Sequence, residues 1–180
     1  MHCGVTGSVM VMSIPEGTHK IGPSNGSLKI MTGKEGAAAK MGHDLVLNVG
    51  SWEATVEGGD NASISLTADP GSIEVESGSG GAKPLSDKDK GDIKKSIAGK
   101  VLGSSQITFT SSEVTDSGAK GDLSIAGKSD SVNVPLNVSD SKISGSLRIS
   151  QSQFAIKQFS TMMGALKVKD SVEIAFEGNL

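Results

Sequence analysis

The amino-acid sequence predicts a mainly β protein: a single antiparallel barrel of about eight strands, with one inserted amphipathic helix and a short irregular or helical segment near the C-terminus. Three observations carry this. Apolar residues recur at every second position through most of the 180 residues, the period of a strand that buries one face. Gly (24), Pro (5) and Ser (28) punctuate those runs, closely enough to suit hairpins rather than long crossovers. The run from His43 to Val56 changes phase at Gly50, as a β-bulge does where it bends a sheet. So many alternating segments call for a sandwich or a closed barrel, since both bury one face and leave few open edges; closure is the expectation.

The elements follow in order. Met1–Met12 has neither the basic start nor the unbroken apolar segment of a secretory signal. A cytoplasmic location is expected from this. Residues 1–12 are read as a disordered extension and 13–180 as one domain. Leu28 and Ile30 open the alternation. In the long run that follows, Leu45, Leu47 and Val49 share one parity, and Trp52, Ala54 and Val56 the other. Next come Ile64/Leu66/Ala68, Ile73/Val75, Ile107/Phe109, Leu123/Ile125, Val132 to Val138, Ile143/Leu147/Ile149 and Val172/Ile174/Phe176. Asp69-Pro70-Gly71, Asp116-Ser117-Gly118 and Gly127-Lys128 read as hairpin turns. Between Leu85 and Leu102 the pattern becomes helical: Ser86 and Asp89 form a capping-box pair, while Ile93, Ile97 and Val101 repeat at i, i+4, i+8. Such a helix is expected to cover an open side or mouth of the sheet. The stretch Phe154 to Leu166 is too apolar for a solvent loop and should fold back onto the barrel.

Composition narrows the function classes. Seventeen basic residues against twenty acidic ones leave no surplus for nucleic-acid phosphates. No stretch is long and apolar enough for a membrane helix, so no stable membrane insertion is expected. One cysteine excludes an intrachain disulfide or a multi-cysteine zinc site. His2, His19 and His43 are the imidazole candidates, and no native metal site or cofactor is expected from them. Gly22-Pro23-Ser24-Asn25-Gly26 has the letters of a nucleophile elbow but is followed by a strand rather than a helix. Gly127-Lys128-Ser129 lacks the glycine spacing of a phosphate loop.

What fills the barrel is the open question. Eight strands enclose room for side chains or for one small ligand. One Trp, four Phe and no Tyr supply little bulk, which favours an elongated aliphatic cavity; alternation alone favours a packed core, because most buried apolar faces pack on protein. The residues expected to touch a ligand tail are Leu45, Leu47, Ile64, Leu66, Phe109, Val134, Leu136 and Ile174, with Phe154, Phe159, Met162 and Met163 as a lid. The inward parity is an assumption. His43, at the start of an apolar strand, is the candidate head-group contact, with a structural hydrogen bond to a loop carbonyl as its alternative.

Gly42-His43-Asp44-Leu45, then Leu123-Ser124-Ile125-Ala126-Gly127-Lys128 with Val132-Asn133-Val134-Pro135, then Phe154-Ala155-Ile156-Lys157 with Met163-Gly164-Ala165-Leu166-Lys167-Val168-Lys169-Asp170-Ser171-Val172 together resemble the YceI-like family, in order and over nearly the whole chain. The resemblance implies a lipocalin-like barrel whose apolar tunnel holds a long-chain amphiphile such as a polyisoprenoid, an isoprenoid quinone or a fatty-acyl lipid. It also implies a periplasmic or extracellular location as the alternative to the cytoplasm. Gly33–Met41 and the helix at Ser86–Gly99 look particular to a subgroup. Carriage of a hydrophobic small molecule without catalysis is therefore expected. The alternatives are an enzyme using His43 as acid or base, or a solid-core interaction module. The oligomeric state is open, a dimer included.

Overall fold

The computed structural model describes residues 14–81, 83–115 and 117–180. The extension expected over residues 1–12 lies outside them. One curled sheet of eleven strands, every neighbouring pair antiparallel, dominates the chain. Its first strands are β1 (Gly17–Ile21), β2 (Gly26–Thr32), β4 (Asp44–Val49), β5 (Trp52–Gly58), β6 (Ser63–Ala68) and β7 (Ile73–Ser79), and the two-residue β3 (Lys34–Glu35) belongs to a separate small sheet. Helix α1 (Asp87–Ser96) follows, and then β8 (Ile107–Thr115), β9 (Gly118–Ile125), β10 (Lys128–Ser139) and β11 (Lys142–Ser150). After β12 (Ser160–Thr161) and β13 (Leu166–Val168), which complete the small sheet, β14 (Ser171–Asn179) returns to the large one.

Eleven strands replace the expected eight because three long runs each turn a corner. The order across the sheet is β1-β5-β6-β8-β9-β10-β11-β14-β2-β4-β7. One edge therefore holds β5 and β6, and the other holds β4 and β7, the continuations of the same two runs. The ribbon formed by residues 44–58 and 63–79 bends in its middle. At that corner Gly50 N–H donates to Ser72 O and Asp69 N–H to Ser51 O, both at 3.0 Å, while Asp69 Oδ1 accepts from Gly71 N–H at 2.9 Å. Asp69-Pro70-Gly71 is thus a corner and not the expected hairpin: Pro at the first position of a short turn pre-sets its φ, and β6 and β7 pair with different partners. The two other expected hairpins are present, with Thr115 opposite Gly118 and Ile125 opposite Lys128. In the second, Ala126 (φ 52°) and Gly127 (φ 80°) both lie in the left-handed region, as a two-residue turn matched to strand twist requires.

The phase change at Gly50 does what the alternation implies. Leu47 and Val49 before it and Trp52, Ala54 and Val56 after it are all buried, because the break at Gly50-Ser51 returns the second set to the inner face. β1 escaped the sequence reading: at the sheet edge it buries only Ile21 and leaves Thr18 and Lys20 to solvent. Ile21, 1% exposed, closes one end of the curled sheet against Gly26 and Gly178. A Cβ on Gly178 would stand 2.4 Å from Ile21 Cγ2, so the strand must carry glycine there for the plug to fit.

Candidate functional site: an apolar cavity under a helical cover

α1 begins with the capping box legible in the sequence. Asp89 N–H donates to Ser86 Oγ at 3.1 Å, and Ser86 N–H to Asp89 Oδ2 at 3.0 Å. Those bonds, the backbone one foremost, hold the Asp89 carboxyl below its ordinary value. Asp87 and Asp89 sit in the first turn and Lys94 and Lys95 in the last, matching the helix dipole. Beyond Ser96 the chain continues as one wide π turn over Ile97–Val101. Lys94 bridges to Glu74 of β7 at 2.9 Å, which sets the helix across that edge of the sheet. Its inner side carries Ile93, Ile97 and Val101.

Beneath this cover lies a cavity of about 450 Å³. Nearly all of its wall is aliphatic. Of the residues expected to meet a tail, Leu45, Leu47, Ile64, Leu66, Phe109, Val134, Leu136, Ile174 and Phe159 line it. The assumed inward parity is the one the strands adopt. Several of these residues, Leu45, Leu66 and Leu136 among them, are only half-buried although they face inward, since the surface they retain is cavity wall.

Three expected lid residues stand elsewhere. Phe154, 1% exposed, is packed into the core in the turn after β11 and does not reach the cavity; Ala155 beyond it takes a left-handed φ of 55° that ends the turn. Met162 and Met163 point into solvent, Met163 completely. Both have left-handed φ, 54° and 56°, and their side chains stand in water rather than in the cavity. The cover is instead made by Ile93, Ile97, Val101 and Leu102 with Phe159 and Val168. The helical spacing of the first three was the signal for them, had it been read as facing the cavity. Leu147 and Phe176, whose parity matches Ile174 and Val134, were likewise legible. Phe176 also meets Trp52 edge-on at 6.1 Å.

Polar groups on the cavity wall are few: Thr32, Asp92, Ser96, Gln151 and Thr161. Gln151 is buried and donates from Nε2 to Lys169 O at 3.0 Å, while Lys169 N–H donates to Gly33 O at 2.9 Å, next to Thr32. Thr32 Oγ1 is buried without a hydrogen-bond partner, an arrangement that costs free energy unless something supplies the bond. Gln151, Thr32 and Thr161 thus offer hydrogen bonding beside an apolar bore. His43 is not among the lining residues: its Nε2 donates to Lys83 O at 2.7 Å, the structural role set against the head-group role. His19 Nε2 donates likewise to Pro15 O. Among the described residues no group of three or more His, Cys, Asp or Glu is placed to hold a metal ion, and no helix is long and apolar enough to cross a membrane.

Comparison with known proteins agrees with this architecture. A family model described as YceI-like domain matches residues 20–180. The crystal structure of Burkholderia cenocepacia BcnA superposes with a TM-score of 0.64 at 20% identity, covering 87% of this chain and 97% of that one. A Campylobacter jejuni YCEI protein aligns at 16% identity and a TM-score of 0.48, over 74% of this chain and 84% of that one. A search of curated proteins finds no match.

Proposed function

Since the chain belongs to the YceI-like family, we propose that it binds and carries one long-chain amphiphile, a fatty-acyl or isoprenoid lipid, with the tail in the cavity and the head beside Thr32, Gln151 and Thr161. The observation that supports this most is the 450 Å³ aliphatic cavity. At about 30 Å³ for each water-sized group it has room for roughly 15 methylenes. Their transfer from water is worth about 0.8 kcal/mol each, or about 12 kcal/mol in gross terms, against an association cost of about 4–15 kcal/mol. Binding on this basis depends steeply on tail length: a tail that fills the bore is held, and one half as long is not. Exchange of bound lipid requires movement of the cover, and α1 is suited to it. It has no fully buried residue, so little apolar surface is exposed when it lifts.

Carriage rather than turnover is the reading because, among the described residues, Asp92 is the only ionisable side chain on the wall, and the His43 ring is turned to a backbone carbonyl outside it. Native mass spectrometry of protein purified without added lipid tests the proposal, followed by stripping and reloading with palmitate, farnesol and a menaquinone. A one-to-one adduct, exchangeable among tails of similar length, is expected. Absence of any adduct across the three classes would refute it.

A further inference from the structure

The corner beside the cavity mouth carries features that neither ligand binding nor the fold uses. Met163 is fully exposed, Met162 46% and Met41 56%, the exposed large apolar side chains among the described residues. They share one place. Met162 and Met163 form the turn between β12 and β13, and Met41 ends the short helical turn Ala39–Met41, which is tied to the same stretch by Ala38 N–H donating to Ala165 O at 2.8 Å. Thr161, immediately before the methionine pair, lines the cavity, as do Phe159 and Val168. The apolar tip is therefore continuous with the mouth. Left-handed φ at two consecutive non-glycine residues is sterically unfavourable, and here it presents both thioethers to water.

The charge around this tip runs against that of the whole chain. Residues 34–41 and 157–169 hold Lys34, Lys40, Lys157, Lys167 and Lys169 against the single acid Glu35, a net +4, so the remaining residues hold −7 of the total −3. Lys40, Lys157 and Lys169 are exposed. The adjoining acids keep their charge, Asp44 accepting from Lys34 N–H and Asp170 from Ser152 N–H and Oγ, so that counting both leaves the corner at a net +2. Flexible apolar side chains on a tip next to cavity-lining residues, in segments that carry an excess of lysines, are complementary to an anionic bilayer surface, into which thioethers enter and at which lysines meet phosphates.

We propose that this corner docks the cavity mouth onto anionic lipid bilayers, with Met162 and Met163 inserted at the interface and Lys40, Lys157 and Lys169 against the head groups. Such docking would let a lipid pass between bilayer and cavity without crossing water. It stands on the surface alone and does not require an occupied cavity.

The test is co-sedimentation with vesicles of phosphatidylcholine alone and of phosphatidylcholine mixed with phosphatidylglycerol. Binding is expected to the mixed vesicles at about 0.1 M salt and to be lost at 1 M, where screening shortens from about 10 Å to about 3 Å. Replacement of both methionines (M162S/M163S) should weaken partition by about tenfold or more, and K157Q/K169Q by about fivefold per lysine. These side chains are solvent-exposed, so an unchanged melting temperature shows that folding is intact. A Leu147→Trp variant, with its cavity partly filled, should dock as the parent does, which separates this proposal from lipid carriage. No binding to anionic vesicles would overturn it, as would binding indifferent to both double variants. Binding to polyglutamate but not to vesicles would overturn it in favour of an acidic protein partner, and methionine-dependent dimerisation in favour of a second copy of the chain.

Discussion

Leu147→Trp separates a cavity from a packed core more sharply than any truncation. Leu147 faces inward on β11, lines the cavity and is only half-buried. The substitution adds six side-chain heavy atoms, which fused into a close-packed ring system take up only about 60 Å³ more than leucine, or roughly a seventh of the 450 Å³ available. In an open bore the indole occupies empty space. The melting temperature should then hold or rise, while the longest bound tail shortens by about two methylenes, a loss of about 2 kcal/mol for the original ligand. In a solid core the same change overpacks and costs about 1–3 kcal/mol, lowering Tm by about 2–4 °C per kcal/mol for a chain of this size. The assay pairs calorimetry with native mass spectrometry over a series of fatty acids. A variant that melts several degrees lower yet retains the same tails as the parent would refute the reasoning.

Other outcomes follow from the same contacts. Ile97→Lys on the inner side of the cover should speed release of a fluorescent fatty acid several-fold in stopped-flow with little change in Tm, since it leaves the sheet untouched. Ser86→Ala removes one half of the capping box and should cost about 1 kcal/mol, seen as faster amide exchange over residues 87–101. Because Asp89 is held below its ordinary value by Ser86, that cap is complete above the usual carboxylate range and is lost as pH falls through Asp89's lowered value; exchange over the same residues should accelerate only there. Gly26→Ala places a Cβ 2.5 Å from Glu177 O and 2.8 Å from Ile21 and should lower Tm by several degrees. Gly91→Ala, with open space around it in α1, should raise helix stability by about 1 kcal/mol. His43→Ala should leave lipid retention unchanged, because the ring stands outside the cavity.

The fold was legible wherever one-sided burial wrote itself into alternation. Ile64 and Leu66 alternate with Ser63, Ser65 and Thr67 because one face meets the bore and the other water; Leu45/Leu47 and Val134/Leu136 keep the same period although Val46 and Pro135 stand between them, and the Gly50 phase change marks a real corner. α1 was legible through its cap. What escaped lacks that signature. β1 is an edge strand with one buried side chain, and β3, β12 and β13 are too short to show a period. The corners at Gly22–Gly26 and Asp69–Ser72 look like local turns until their pairing partners are known. Phe154, Met162 and Met163 were expected as lid residues on apolar character alone. Side-chain type does not report which way a turn faces, and left-handed φ at Met162 and Met163 is a property of the assembled corner.

The most direct test of the central claim is a crystal structure of the protein as isolated, never exposed to added lipid. The account predicts one continuous tube of density, about 15 heavy atoms long, running from beside Leu136 and Ile174 to a polar end near Gln151 and Thr161. An interior filled from wall to wall by its own side chains, with α1 packed into the space, would contradict it.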